Sequence, residues 1–117
     1  MTQPNISLRV NKANEKASIL DIRGEITSAA EKELMDAYTQ AGSNGTHIIL
    51  LNFSELEYMN SSGIGLLVTL LIRVRRNSQR LLATGLNDHY RQIFELTRLN
   101  EAISIFDSES EALAAVA

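Results

Sequence analysis

The run His47-Ile48-Ile49-Leu50-Leu51-Asn52-Phe53 is apolar with almost no alternation. A strand with one face in water alternates apolar and polar side chains with a period of two, so an unbroken run reads as a strand covered on both faces. In a chain of 117 residues that cover has to come from helices on a largely parallel sheet. Helical spacing is present on both sides of the run. Ala30, Leu34, Ala37, Tyr38 and Ala41 precede it, and an apolar stretch from Ser62 to about Arg76 follows it.

The remaining elements fall into the same scheme. Leu8 and Val10, then Ile19, Leu20 and Ile22, mark two extended segments around a polar turn from Asn11 to Lys16. They predict an antiparallel hairpin. Ser28 with Glu31 matches a capping box at the start of the first helix. Gly42 with Asn44-Gly45 supplies its exit near Ala41, because these residues tolerate positive φ. Asn60, Ser61 and Ser62 can each cap the second helix, whose end carries Arg73, Arg75 and Arg76 to offset the dipole. Its first half is apolar almost all round. Leu81-Leu82-Ala83 predicts a strand, and Tyr90, Ile93, Phe94 and Thr97 predict a helix from about Asn87. Ile103 to Phe106 gives a last strand, and Ser108 with Glu111 caps a helix carrying Ala112, Leu113, Ala115 and Val116. After the hairpin, helix and strand alternate, which predicts an α/β fold in a single domain over 1–117 with right-handed crossovers.

Composition removes several classes of function. With no cysteine, disulfides, thiolate nucleophiles and cysteine-based metal sites are excluded. A formal charge of −3 gives no general attraction to phosphate backbones or anionic lipid, so nucleic acid is not an expected partner. The start Met1-Thr2-Gln3-Pro4-Asn5 has neither the basic nor the apolar region of a signal peptide. Ile64 to Ile72 is far shorter than the roughly 20 residues that span a bilayer. The expectation is a soluble, cytoplasmic chain with no membrane insertion.

The unusual segment runs from Asn52 to Leu67, read as the end of a strand, a loop and a helix start. Capping alone accounts for Asn60, Ser61 and Ser62. It does not account for Tyr58, Met59, Ile64, Leu66 and Leu67 gathered around hydroxyls, a pattern that suggests an exposed docking surface. Gly24-Glu25-Ile26, the Ile48 to Asn52 strand and Tyr58-Met59-Asn60-Ser61-Ser62-Gly63-Ile64-Gly65 together resemble the STAS domain of anti-sigma-factor antagonists. The resemblance implies a mixed, mostly parallel sheet flanked by helices. It also implies phosphorylation of Ser61 by a partner that is both serine kinase and anti-sigma factor, with a serine phosphatase reversing it. The surface implied for that partner comprises Thr27, Tyr58, Met59, Asn60, Ser61, Ser62, Gly63, Ile64 and Leu66.

Two positions depart from the family pattern. Where family members often carry acids, immediately before the phosphoacceptor and just after the G-E-[IL] step, this chain has Asn60 and Thr27. Relatives also serve as scaffold subunits or as soluble partners of transport machinery, lipid transport among them, a role that needs no modified Ser61. Enzymatic readings are weaker: the G-x-S-x-G elbow is absent and only His47 and His89 could act as bases. Gly63-Ile64-Gly65 lacks the third glycine of a dinucleotide fingerprint, so close packing is the expected job of these glycines. No catalytic residue, cofactor or metal ligand is predicted.

Overall fold

The structure, a computed structural model, describes residues 4–43 and 45–116. Met1-Thr2-Gln3, Asn44 of the expected helix exit, and Ala117 lie outside the described residues. Among the described residues five strands form one sheet: β1 (Ile6–Lys12), β2 (Ala17–Ile26), β3 (Ile48–Met59), β4 (Arg80–Thr84) and β5 (Ser104–Phe106). The spatial order is β1-β2-β3-β4-β5. The first pair is antiparallel and the other three are parallel. The helices are α1 (Glu31–Ala41), α2 (Ser61–Arg76), α3 (Asp88–Leu96) and α4 (Glu109–Ala115).

The apolar run is covered on both faces, as its lack of alternation requires. Ile49, Leu51 and Phe53 join Leu34 of α1, Leu67 and Leu70 of α2 and Phe94 of α3 in the main core. Phe53 meets Phe94 edge to face at 6.3 Å between ring centres. Ile48 and Leu50 point the other way, into a smaller cluster with Ile19, Leu82 and Ala112 of α4. Each fully buried Leu, Ile or Phe contributes roughly 1.5–3 kcal/mol, so the larger cluster carries most of the stabilisation.

Three of the boundaries that differ from the sequence reading bear on the site, each for a local reason. First, the Ser28–Glu31 capping box does not form. β2 stays in the sheet as far as Ile26, and the chain leaves through a 3₁₀ turn at Ser28–Ala30 in which Thr27 Oγ1 accepts from the Ala29 N–H at 3.3 Å. Ala30, with no side-chain cap, precedes α1. Second, β3 runs past Phe53 to Met59, because β2 continues to pair with it along this stretch. Third, α2 begins at Ser61, one residue early. The later caps fall where expected: Asn87 accepts from Tyr90 N–H at 3.0 Å and Ser108 from Glu111 N–H at 3.1 Å. Gly24, with φ +100°, sits beside a register shift in β2, and a β-carbon there would collide with the Asn5 carbonyl oxygen.

Candidate functional site

Strand β3 outlasts its neighbour β4. Their pairing stops at Asn52 and Thr84, while pairing with β2 continues to Met59 and Ile26. The end of β3 thus has a strand on one side only, and its last amides need other partners. Tyr90 of α3 supplies one. Its buried hydroxyl accepts from the Met59 N–H at 2.9 Å. Removing that hydroxyl leaves a buried donor unpaired, which costs about 1–3 kcal/mol. Tyr90→Phe is therefore expected to lower the urea midpoint by an amount in that range. An unchanged midpoint would mean that the bond contributes nothing.

From Met59 the chain enters α2 through one extended residue. Asn60 has φ −102° and ψ −175°, and its Oδ1 accepts from the Gly63 N–H at 2.9 Å. Its own N–H reaches the Ile26 carbonyl at 3.4 Å and its carbonyl accepts from the Ile64 N–H at 3.0 Å. Asn60 alone caps the helix. Ser61 and Ser62 are exposed, and neither hydroxyl has a hydrogen-bond partner among the described residues. The first turn sits hard against β2: a β-carbon on Gly63 would overlap the Ile26 carbonyl oxygen and lie 2.8 Å from Met59 Cγ.

The structure corrects part of the expected docking surface. Met59 is 5% exposed and Leu66 8%, both in the main core. Gly63 is buried too. Met59 faces inward because it is still a strand residue, and Leu66 because it shares a helix face with Leu67, Leu70 and Val74. Tyr58, Ser61 and Ser62 are exposed, and Thr27, Asn60 and Ile64 are half-buried. Gly65 also departs from expectation: no atom lies within 4 Å of the β-carbon it lacks, so close packing does not explain it.

Two apolar residues were missed. At about 100° per residue, Ser61, Gly65, Val68 and Ile72 fall in one line along the outer face of α2. Val68 is 40% exposed and Ile72 52%. The signal was present, since a surface helix needs apolar residues on one face only and this one had them all round. Val68 and Ile72 lie opposite the buried residues. The exposed line thus starts at a free hydroxyl and continues for roughly 16 Å at 1.5 Å per residue.

His47 is not placed to activate Ser61. His47 is exposed at the opposite end of β3, roughly 40 Å away at 3.3 Å per strand residue. The exposed His89 lies against the Tyr90 ring at 4.9 Å. Among the described residues no helix is long and apolar enough to cross a membrane.

Comparison with known proteins is consistent across sequence and structure. The STAS domain family model matches residues 8–112. An anti-sigma-B factor antagonist of Staphylococcus aureus is 30% identical over 84 residues, covering 72% of this chain and 78% of that protein. An anti-sigma factor antagonist from Mycobacterium paratuberculosis superimposes with a TM-score of 0.81 at 19% identity, over 99% of this chain and 98% of that one. The Bacillus cell fate determinant SpoIIAA in its phosphorylated form gives 0.72 at 20% identity, over 95% and 100%.

Proposed function

We propose a function from one premise: the chain belongs to the STAS domain family. On this reading it is an anti-sigma-factor antagonist, a binding module without turnover of its own that sequesters an anti-sigma factor with serine-kinase activity. Phosphorylation of Ser61 releases the partner, and a serine phosphatase restores binding. The work takes place in the cytoplasm, where ATP and sigma factors are found, and involves no direct contact with nucleic acid. Thr27, Tyr58, Asn60, Ser61, Ser62 and Ile64 form the contact surface, extended along α2 by Val68 and Ile72.

One observation carries this reading. Ser61 stands first in α2 with its hydroxyl exposed and uncommitted, because Asn60 has taken over the cap. A kinase can transfer the γ-phosphoryl group of ATP to Oγ, with loss of the hydroxyl proton and release of ADP, without breaking any bond that holds the helix. The family relationship supplies the partner class, and the S. aureus relative is named for it. A second reading, a constitutive scaffold or soluble transport partner, draws on the uncharged Asn60 and Thr27 where relatives often carry acids.

The test is incubation with the organism's anti-sigma-type serine kinases and Mg-ATP, followed by peptide mapping. One phosphate on Ser61, absent in Ser61→Ala, is the expected result. Binding without any phosphate, or phosphate on Ser62 alone, would transfer the case to the scaffold.

A further inference from the structure

The outer line of α2 does not fade into neutral solvent-facing residues. Ile72 is followed on the same side by Arg76, one turn on, and Arg73 is the i,i+3 neighbour of Arg76. All are exposed. Arg73 and Arg76 line a shallow hollow of about 350 Å³ together with Tyr38, Thr39, Gly42 and Asn77. Among the described residues no carboxylate lines it. None of the ion pairs among the described residues involves either arginine; those pairs join Arg23 to Glu55, Lys32 to Asp36 and Arg91 to Asp107. Nearby Arg75 and Arg80 share their own hollow with Glu101.

Arginines at a helix C-terminus offset the dipole, and that alone explains why cations stand there. It does not explain a hollow with two guanidinium groups and no acid in a chain of net charge −3. Nor does it explain why the exposed apolar line should lead into it. Guanidinium groups present forked donors suited to carboxylates. We infer that this hollow is the charged end of the partner-binding surface, and that it receives carboxylate side chains from the kinase whose apolar residues lie along Val68 and Ile72.

The inference rests on the kinase-binding reading above and adds a chemistry to it: the partner must carry an acidic cluster roughly 18–22 Å, at 1.5 Å per helical residue, from the point where it meets Ser61. A membrane surface fits less well. Two apolar side chains and a net negative chain give little purchase on anionic lipid.

Rim charges act mainly on association rate and its salt dependence, whereas buried apolar contacts act on dissociation. The two ends of the surface can therefore be separated kinetically. Stopped-flow binding to the purified serine kinase is measured in about 50 mM and about 500 mM salt, a range over which screening changes strongly. Arg73→Glu with Arg76→Glu is expected to slow association about tenfold or more at low salt, with the difference shrinking at high salt and dissociation unchanged. The gentler Arg73→Gln with Arg76→Gln should show the same trend at smaller size and guards against loss of the helix end, with thermal melts as the check. Val68→Ser with Ile72→Ser should speed dissociation at both salt levels.

Wild-type association rates in the charge-reversed protein would overturn the inference while leaving the kinase reading intact. So would sedimentation of the wild type, but not the charge-reversed protein, with phosphatidylglycerol vesicles. Failure of the wild type to bind any such kinase at either salt level would remove both.

Discussion

Gly63→Ala is expected to destabilise the protein by about 3 kcal/mol or more, at the upper end of what overpacking a filled site costs. Gly65→Ala, two residues along the same helix, should stabilise it by up to about 1 kcal/mol. By propensity alone the two substitutions are equal, since each replaces glycine with the best helix former. Their surroundings decide the sign. At Gly63 the new methyl meets the Ile26 carbonyl oxygen, a backbone atom held by the sheet, and Met59 Cγ at 2.8 Å. Relief would require α2 to back away from β2, lengthening the Asn60 N–H to Ile26 contact of 3.4 Å. At Gly65 the methyl enters open space. Urea midpoints of the two variants against wild type provide the check, and a stable Gly63→Ala would mean that the first turn of α2 can move freely. If Gly65→Ala is stabilised yet loses partner binding, the bare backbone at Gly65 is there for close approach of the partner rather than for folding.

Phosphate on Ser61 is expected to weaken kinase binding at least a hundredfold, while the melting temperature stays within a few degrees of the unmodified protein. The added charge is about −1.5 to −2. In the free protein it stands at a helix N-terminus beside unpaired N–H groups, where the dipole favours an anion, and it remains in water. In the complex the same charge is carried into contact with a docked surface next to Tyr58 and Ile64, and it must shed water to get there. A hundredfold change corresponds to about 2.8 kcal/mol at 1.4 kcal/mol per decade, more than an exposed ion pair supplies but within the cost of desolvating a charge. Ser61→Asp, with about half the charge and less bulk, should reproduce part of the loss, and Ser61→Ala should bind whether or not ATP is present. Calorimetric titration of the four proteins, paired with thermal melts, separates loss of affinity from loss of fold. Equal affinities for the phosphorylated and unmodified forms would reject the switch.

The architecture was legible because β3 is apolar on both faces and because α2, α3 and α4 carry distinct side-chain caps at Asn60, Asn87 and Ser108. The end of β3 was harder to read. From Ser54 to Tyr58 the strand has only one strand neighbour, so its side chains alternate poorly and include Glu55 and Glu57; local pattern suggested a loop, and pairing with β2 overrode it. That error propagated to Met59, taken for an exposed loop residue when it is the last inward-facing residue of a strand. Leu66 was misplaced for a different reason. A helix that is apolar all round gives no sequence signal for which side faces the core; in the structure its buried face carries Leu67, Leu70 and Val74, and Gly63 seats against Ile26. The same pattern signalled that some apolar residues of α2 face solvent, without singling out Val68 and Ile72. Tyr90 could not have been assigned from the chain alone, because its partner amide lies 31 residues away in sequence.

The order of the strands in the sheet is also their order in the chain. Every strand after the first therefore adds to an edge formed by the one synthesised just before it, and no strand has to be inserted between two already paired. Folding that proceeds through neighbours in sequence closes short loops first and is correspondingly fast. It also suits a chain leaving the ribosome at a few residues per second. β1 to β3 and α2, with Ser61 at its head, can assemble before β5 and α4 emerge. What arrives late is the Tyr90 hydroxyl that holds the Met59 amide, and after it the small cluster around Ala112. A nascent chain that has emerged only as far as α2 would carry Ser61 on a sheet whose last anchor is still in the exit tunnel.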